Sequence, residues 1–485
     1  MDKLTRQRKS KILGQYFLSH TIVFYARIHK QIKNIFFIYR KPMLLNNIIL
    51  RNFRNYVDCE VSFSKPVNLI IGGNAQGKTS LLEAIYFLCT AESHRATRDA
   101  ELIRHNEPGF YLKGVLTNSS NDAISLEASK RARGQFKLIK NGVLHTKRSE
   151  WIGQFNAVFF APESLILVKG APAERRRFLD LLIAQIDNNY LQHLQKYQLV
   201  LKQRNELLKQ IRTTFVDAAQ LDAWDKLLLT HGTAITLKRL QVFSELKDYA
   251  MHNHQKLTGG QENLALTYRS ASVQDDMSRH SGTDSNSEPA SADSSLLAES
   301  EVEPVPTTSE RGITVQFRET LKASRAADLQ RGTTLVGPHR DDFLIELENQ
   351  PATVLSESAS QILDTDEEEV ISEDDFLTEE NGTCREVARA YGSQGQQRTI
   401  ALALKLAELE LIHATTGRNP IVLLDDVTSE LDYNRIGYLL GVLQNLSAQT
   451  FITATHAEPL VHHLHEANVF TVKNARISQS AHSEK

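Results

Sequence analysis

The stretch Val67-Asn68-Leu69-Ile70-Ile71-Gly72-Gly73-Asn74-Ala75-Gln76-Gly77-Lys78-Thr79, continued by Ser80-Leu81-Leu82-Glu83-Ala84-Ile85-Tyr86-Phe87-Leu88, sets the class of protein this chain can be. An apolar run gives way to a glycine-rich turn and then to apolar residues at helical spacing, the order of a phosphate-binding P-loop. Glycines let consecutive backbone N–H groups curl around one anion, and the following helix adds its positive N-terminal end. Lys78 is suited to bridging β- and γ-phosphates, and the Thr79 hydroxyl to ligating Mg²⁺. A structural glycine turn would share the outline but leaves Gly77 and Lys78 unexplained. The residues of the expected nucleotide loop are Gly72, Gly73, Asn74, Ala75, Gln76, Gly77, Lys78 and Thr79.

The second half of such a site lies far downstream. Asn419-Pro420-Ile421-Val422-Leu423-Leu424-Asp425-Asp426 reads as a buried strand ending in two acids. Lying beside the P-loop strand, it would put Asp425 on the Mg²⁺ shell and Asp426 next to the attacking water. Ser393-Gln394-Gly395-Gln396-Gln397-Arg398 opens an amphipathic helix over Thr399 to His413, and a serine hydroxyl with a glycine N–H at a helix start is a further anion site. Ser429-Glu430-Leu431-Asp432 follows the acids, and Phe451-Ile452-Thr453-Ala454-Thr455-His456 is a strand ending in a histidine. A lone histidine there is usually structural; in this order His456 is a γ-phosphate sensor.

Composition narrows the partners. The chain has 485 residues, 41% hydrophobic and 24% charged, room for two or three domains of ordinary globular type. Its three cysteines, Cys59, Cys89 and Cys384, are scattered without zinc or disulfide spacing, which fits a reducing, cytoplasmic setting. No apolar run reaches the roughly 18 to 20 residues that cross a bilayer, so no membrane partner is expected. The net charge of −2 conceals a division: residues 1–42 carry ten Lys/Arg and one acid, residues 270–310 nine acids and one Arg, and residues 351–381 eleven acids with no Lys or Arg. The rest holds 45 Lys/Arg against 37 Asp/Glu, a basic body suited to phosphate backbones.

The expected organisation is a basic extension over 1–42, a mis-called start or disordered, then an ATPase lobe over 43–172 beginning with a hairpin from Leu45 to Phe63. A helical lobe follows over 173–269, with helices at 175–182, 190–208 and 221–257. An acidic, Ser-rich disordered insert covers 270–310, and 311–350 returns to the ATPase lobe. A second acidic insert spans 351–384, and 385–485 completes the ATPase lobe. Asn141-Gly142 is the expected turn of a hairpin. The fold class is α/β: a P-loop ATPase lobe formed by both chain ends, with an inserted helical second lobe.

The order of P-loop, Ser-x-Gly-Gln helix, acidic strand, Asp loop and His resembles the ABC-type ATPases. Asn52-Phe53-Arg54-Asn55-Tyr56, Pro162-Glu163-Ser164, Lys169-Gly170-Ala171-Pro172-Ala173-Glu174-Arg175-Arg176-Arg177, Gly337-Pro338-His339-Arg340-Asp341-Asp342 and Ser393-Gln394-Gly395-Gln396-Gln397-Arg398-Thr399 together resemble the RecF family of bacterial replication and repair proteins, from about Met43 onward. The resemblance implies a weak, DNA-dependent ATPase that uses ATP and Mg²⁺ and dimerises on DNA at single-strand gap junctions. It further implies RecO- and RecR-type partners in recombinase loading, and support of the SOS response. Carried over, Arg54 lies near the nucleotide and Glu163 stands where transporters have a loop glutamine, near the metal. Ser393, Gly395 and Gln396 cap the γ-phosphate held by a second subunit, which makes each chain half a site. The acidic inserts and the basic extension depart from the family pattern, and the inserts are expected to project away from DNA.

Three rivals are weaker. In a transporter ATPase subunit the P-loop and the signature helix lie much closer than the roughly 310 residues between Thr79 and Ser393. A chromosome-structural ATPase of the SMC type needs long heptad arms for which this chain has no room. A non-enzymatic DNA-binding scaffold does not need Asp426, His456 and Lys78 together.

Overall fold

The structure is a computed structural model that describes residues 44–96, 98–117, 122–134, 136–145, 147–213, 217–273, 309–349, 376–378, 384–426, 431–456 and 467–479. The basic extension, Ser429, Glu430 and most of both acidic inserts lie outside the described residues. The first half runs β1 (Leu44–Phe53), β2 (Tyr56–Ser62), β3 (Val67–Ile71), α1 (Lys78–Thr90), β4 (Gly109–Thr117), β5 (Ala123–Arg131), β6 (Lys137–Lys140), β7 (Val143–His145), β8 (Ala157–Phe160), α2 (Pro172–Ile186), α3 (Asn188–Thr213) and α4 (Leu221–Leu257). The second runs β9 (Asn263–Arg269), α5 (Glu310–Arg331), β10 (Asp342–Asn349), β11 (Phe376–Thr378), β12 (Cys384–Val387), α6 (Gln394–Thr416), β13 (Ile421–Leu424), α7 (Tyr433–Asn445), β14 (Thr450–Ala454), β15 (Asn468–Lys473) and β16 (Arg476–Gln479).

The central sheet has the order β16-β15-β3-β14-β13-β8, parallel except for β16. The residues of β8, β13 and β14 are buried throughout, as parallel strands covered on both faces must be. β3 comes from the start of the chain and its neighbours β14 and β15 from the end, so the expected assembly of one α/β lobe from both chain ends is realised. One expectation is corrected. The acidic strand β13 is not beside the P-loop strand, because β14 lies between them. The acids therefore reach the P-loop across β14, and a β14 side chain has to mediate.

A second, antiparallel sheet of order β2-β1-β4-β5-β6-β7 packs over α1. α1 is buried on nearly all sides, from Leu81 through Thr90, because both sheets close on it. Asn141 and Gly142 both have positive φ, 49° and 79°, and join β6 to β7 as the tight turn expected of Asn-Gly. On the other face of the central sheet lie α2, α4, α6 and α7, in one core with β9 and β10. The helices expected at 175–182, 190–208 and 221–257 correspond to α2, α3 and α4.

Residues 311–331, read from sequence as part of the return to the ATPase lobe, and Glu310, read as the end of the disordered insert, form α5, which Ser309 caps and whose Phe317 and Leu321 join the core shared with α3 and α4. Residues 263–269, read as the end of a helical block, form β9 and pair with β10. Where these parts meet, buried Arg239 of α4 donates to Asp180 of α2 at 2.7 Å, to the Pro338 carbonyl at 2.6 Å and to Asp341 at 3.3 Å. Tyr268 of β9 donates to the same Asp341 carboxylate at 2.6 Å.

Candidate nucleotide site

β3 delivers the loop and α1 receives it. Gly77 is left-handed, φ 117°, and a Cβ there would stand 2.9 Å from Asn55 Nδ2 and 3.1 Å from Tyr56 Oη, so both backbone and space require glycine. Tyr56 is buried and its hydroxyl donates to the Gly77 carbonyl at 3.0 Å. At Gly72 a Cβ would meet the Val472 carbonyl oxygen at 2.4 Å. The turn after β15 braces the other side: Asn474 N–H donates to Gln76 Oε1 at 2.7 Å and Ala475 N–H to the Gln76 carbonyl at 2.9 Å. Gly73, Asn74 and Ala75 stay exposed at the loop's mouth.

Lys78 is 7% exposed, and its ammonium donates to the carbonyls of Gly72 at 2.6 Å and Gly73 at 2.9 Å. Burial pulls its pKa below the ordinary lysine value, and the carboxylates of Asp426 and Asp425 oppose that shift. The P-loop lysine thus already faces the acidic strand.

At the end of β13, Asp425 is 5% exposed. Burial raises its carboxyl above the ordinary aspartate range; hydrogen bonds from Thr453 and Thr79 pull it down, while Glu163 and Asp426 push it up further. Thr453, fully buried on β14, is the mediator that the strand order demands. Its hydroxyl donates to Asp425 Oδ1 at 2.7 Å and accepts from the Asp426 N–H at 2.9 Å. Asp426 has φ 48°, a left-handed turn that carries the chain away from the strand. Asp425 is therefore hydrogen-bonded to Thr79 and Thr453, with the carboxylates of Glu163 and Asp426 close enough to act on its charge. The donor set fits Mg²⁺, which takes a hydroxyl and one or two carboxylates and completes its shell from phosphate and water. Among the described residues no cluster of three or more His, Cys, Asp or Glu makes a closed cage.

Glu163 is exposed in the short turn after β8, the neighbour of β13. His456 is exposed two residues beyond β14. Arg54 has φ 55° and makes a double hydrogen bond, both at 2.7 Å, to the fully buried Glu83 of α1, with a third at 2.8 Å to the Glu101 carbonyl. Its guanidinium is anchored to the P-loop helix. Ser393 caps α6 reciprocally: Gln396 N–H donates to Ser393 Oγ at 3.2 Å, and Ser393 N–H to Gln396 Oε1 at 2.7 Å. Ser393 and Gly395 are exposed.

Sequence reading missed Tyr56 and Thr453, whose signals were only an aromatic beside a glycine and one more threonine in a strand. It also missed a basic groove of about 790 Å³ on the antiparallel sheet. Arg51, Lys130, Arg131, Arg133 and Lys137 line it, and no acid does. Asp58 pairs with Arg51 and Asp99 with Lys130, while Arg131, Arg133 and Lys137 are exposed and make no ion pair among the described residues. Lys130 Nζ sits 4.5 Å from the centroid of the Phe136 ring. These residues come from three strands and a turn, so only folding brings them together.

Comparisons with known proteins agree with this geometry. The family model of the RecF/RecN/SMC N terminal domain matches residues 44–479. The DNA replication and repair protein RecF of Bacillus cytotoxicus is 38% identical over 437 residues, spanning 90% of this chain and 98% of that protein. That of Bacillus thuringiensis (strain Al Hakam) is 38% identical over 438 residues with the same coverage. Among solved structures, the recombination mediator protein RecF with ATP, of the RecFOR pathway, aligns with a TM-score of 0.71 at 30% identity over 91% of this chain and 99% of that one. A P-loop and an acidic strand brought together from opposite chain ends, with relatives matching over nearly their full length, place this chain in the RecF family of ABC-type ATPases.

Proposed function

We propose that the chain binds ATP with Mg²⁺, closes into a homodimer around two shared nucleotides, and so clamps DNA, preferring single-strand gap junctions; slow, DNA-dependent hydrolysis reopens it. In this role it works with RecO- and RecR-type mediators to load recombinase at gaps, and supports the SOS response. The observation that carries the reading is the hydrogen-bonded joint of Thr79, Asp425, Thr453 and Asp426. It supports assigning Thr79 and Asp425 to the metal, with Glu163 beside them. Lys78 would leave the Gly72 and Gly73 carbonyls for the β- and γ-phosphates. Asp426 is assigned to orienting the attacking water and His456 to the γ-phosphate.

The loop residues Gly72 to Gly77 supply N–H groups but nothing on the far side of the γ-phosphate. Ser393 and Gly395, exposed at the N-terminus of α6, fit that far side when presented by a second copy. The basic groove supports phosphate contact rather than base reading, since its Phe136 ring is already covered by Lys130.

Molecular mass in solution, measured with and without ATP and a gapped duplex, tests the reading. A dimer that needs ATP is expected; a chain that stays monomeric on that DNA with ATP present overturns it. In a salt series, the triple variant R131E/R133E/K137E should flatten the dependence of log affinity on log salt by about 0.9 for each phosphate the groove no longer neutralises.

A further inference from the structure

The long helix α4 ends against the helix that carries Ser393. Asn253, fully buried, donates through Nδ2 to Glu410 of α6 at 2.7 Å and accepts from the Tyr438 hydroxyl of α7 at 2.7 Å. Just past the end of α4, in the turn before β9, Glu262 accepts a hydrogen bond from Gln396 Nε2 at 3.1 Å. Its other oxygen is buried and faces Nε2 of fully buried His254 at 3.5 Å.

Gln396 is the residue whose Oε1 holds the Ser393 N–H and whose backbone N–H holds the Ser393 hydroxyl oxygen. A glutamine amide has one acceptor end and one donor end. With Oε1 committed to Ser393, Nε2 must find an acceptor, and Glu262 provides it. The pair therefore fixes which way the Ser393 turn points. α4 spans roughly 55 Å at 1.5 Å per residue, and Arg239 near its middle is locked to Asp180 and Asp341. α4 thus connects that buried ion-pair cluster to the turn that holds Ser393.

We infer that Glu262 is a positioning residue that holds the Ser393–Gln396 turn in the orientation needed to close over the nucleotide of a second copy, and so links the helical body to dimer closure. This rests on the ATP-driven dimerisation proposed above. It separates two properties that a merely structural glutamate would move together: nucleotide affinity of the single chain, which belongs to the P-loop, and closure, which belongs to the Ser393 turn.

The test compares Glu262→Ala and Glu262→Gln with the wild-type chain in three measurements: binding of a fluorescent ATP analogue to dilute protein, the dimerisation constant with ATP, and hydrolysis at saturating ATP. Glu262→Ala should bind the analogue as wild type does while dimerising about tenfold more weakly and hydrolysing correspondingly more slowly. Glu262→Gln keeps an acceptor oxygen for Gln396 and should restore both. If Glu262→Ala dimerises and hydrolyses as wild type does, the assignment to Glu262 falls and the dimer reading stands. An Ala variant that loses melting temperature and nucleotide affinity in parallel also overturns it. If the wild-type chain stays monomeric with ATP, the dimer reading fails and the assignment with it.

Discussion

Replacing Thr453 with valine removes one oxygen atom from the joint between β14 and the acidic strand while keeping the shape of the side chain. Thr453 is fully buried, so no water can take its place. The bond at 2.7 Å goes to a carboxylate, and losing a hydrogen bond of that kind costs about 1.5–3 kcal/mol; leaving the Asp426 N–H without its partner adds about 1 kcal/mol. A loss of about 3 kcal/mol follows, which for a lobe of about 200 residues lowers the melting temperature by roughly 6–12 °C.

The pH dependence of that loss has a definite sign. Burial raises the folded pKa of Asp425 above its unfolded value, so the folded protein binds the proton more tightly and ionisation of this group opposes folding as pH rises. The Thr453 hydroxyl relieves that penalty by donating to the charged carboxylate. The deficit of Thr453→Val should be full where Asp425 is ionised and shrink as pH falls through its raised pKa, beginning above the ordinary aspartate range. Thermal melts across pH, with and without Mg²⁺-ATP, measure it. The variant should also need more Mg²⁺ for hydrolysis, and Thr453→Ser should behave as wild type. Thr453→Val with a wild-type melting temperature and Mg²⁺ requirement, or with a deficit that does not change with pH, would refute the reasoning.

Lys78→Met should abolish the rise in melting temperature on adding ATP, yet leave the nucleotide-free protein at least as stable, because it removes a cation that burial disfavours; differential scanning fluorimetry reads both. Arg239→Met leaves Asp341 buried beside Tyr268 without its cation and should cost about 3–5 kcal/mol in denaturant unfolding. Gly72→Ala drives a Cβ into the Val472 carbonyl and should cost about 1–3 kcal/mol while weakening ATP binding, both visible in melts with and without nucleotide.

The P-loop, the acidic strand and the helices of the inserted body were legible because each is written locally, in glycine spacing, a run of apolar residues, or apolar positions at helical period. What stayed hidden depends on neighbours distant in sequence. The place of β14 between β3 and β13 is set by pairing across hundreds of residues, and Thr453 gains its role only from that place. α5 was missed because its apolar residues Ile313, Phe317 and Leu321 are few among charged ones and follow an acidic tract that obscured the start of the helix. β9 follows α4 after a short turn and was absorbed into the helical pattern, since its partner β10 comes some seventy residues later. Arg54 was expected from resemblance to lie near the nucleotide, and its double hydrogen bond to Glu83 becomes visible only once β1 and α1 are packed together.

The strand that carries the P-loop is paired on both sides by strands from the last forty residues, and the side-chain amide of Gln449 makes two hydrogen bonds to the backbone of Leu45, accepting from its N–H and donating to its carbonyl, across 404 positions. A growing chain therefore exposes β3 and its glycine loop for almost the whole of synthesis with neither edge satisfied. Contacts this distant form late and slowly. The loop acquires the bracing of Asn474 and Ala475 only after β15 is made, so a chain interrupted before that point keeps every residue of its P-loop and lacks the surroundings that shape it. Nucleotide retention thus becomes a test of completed folding: only a chain whose two ends have found each other can hold ATP.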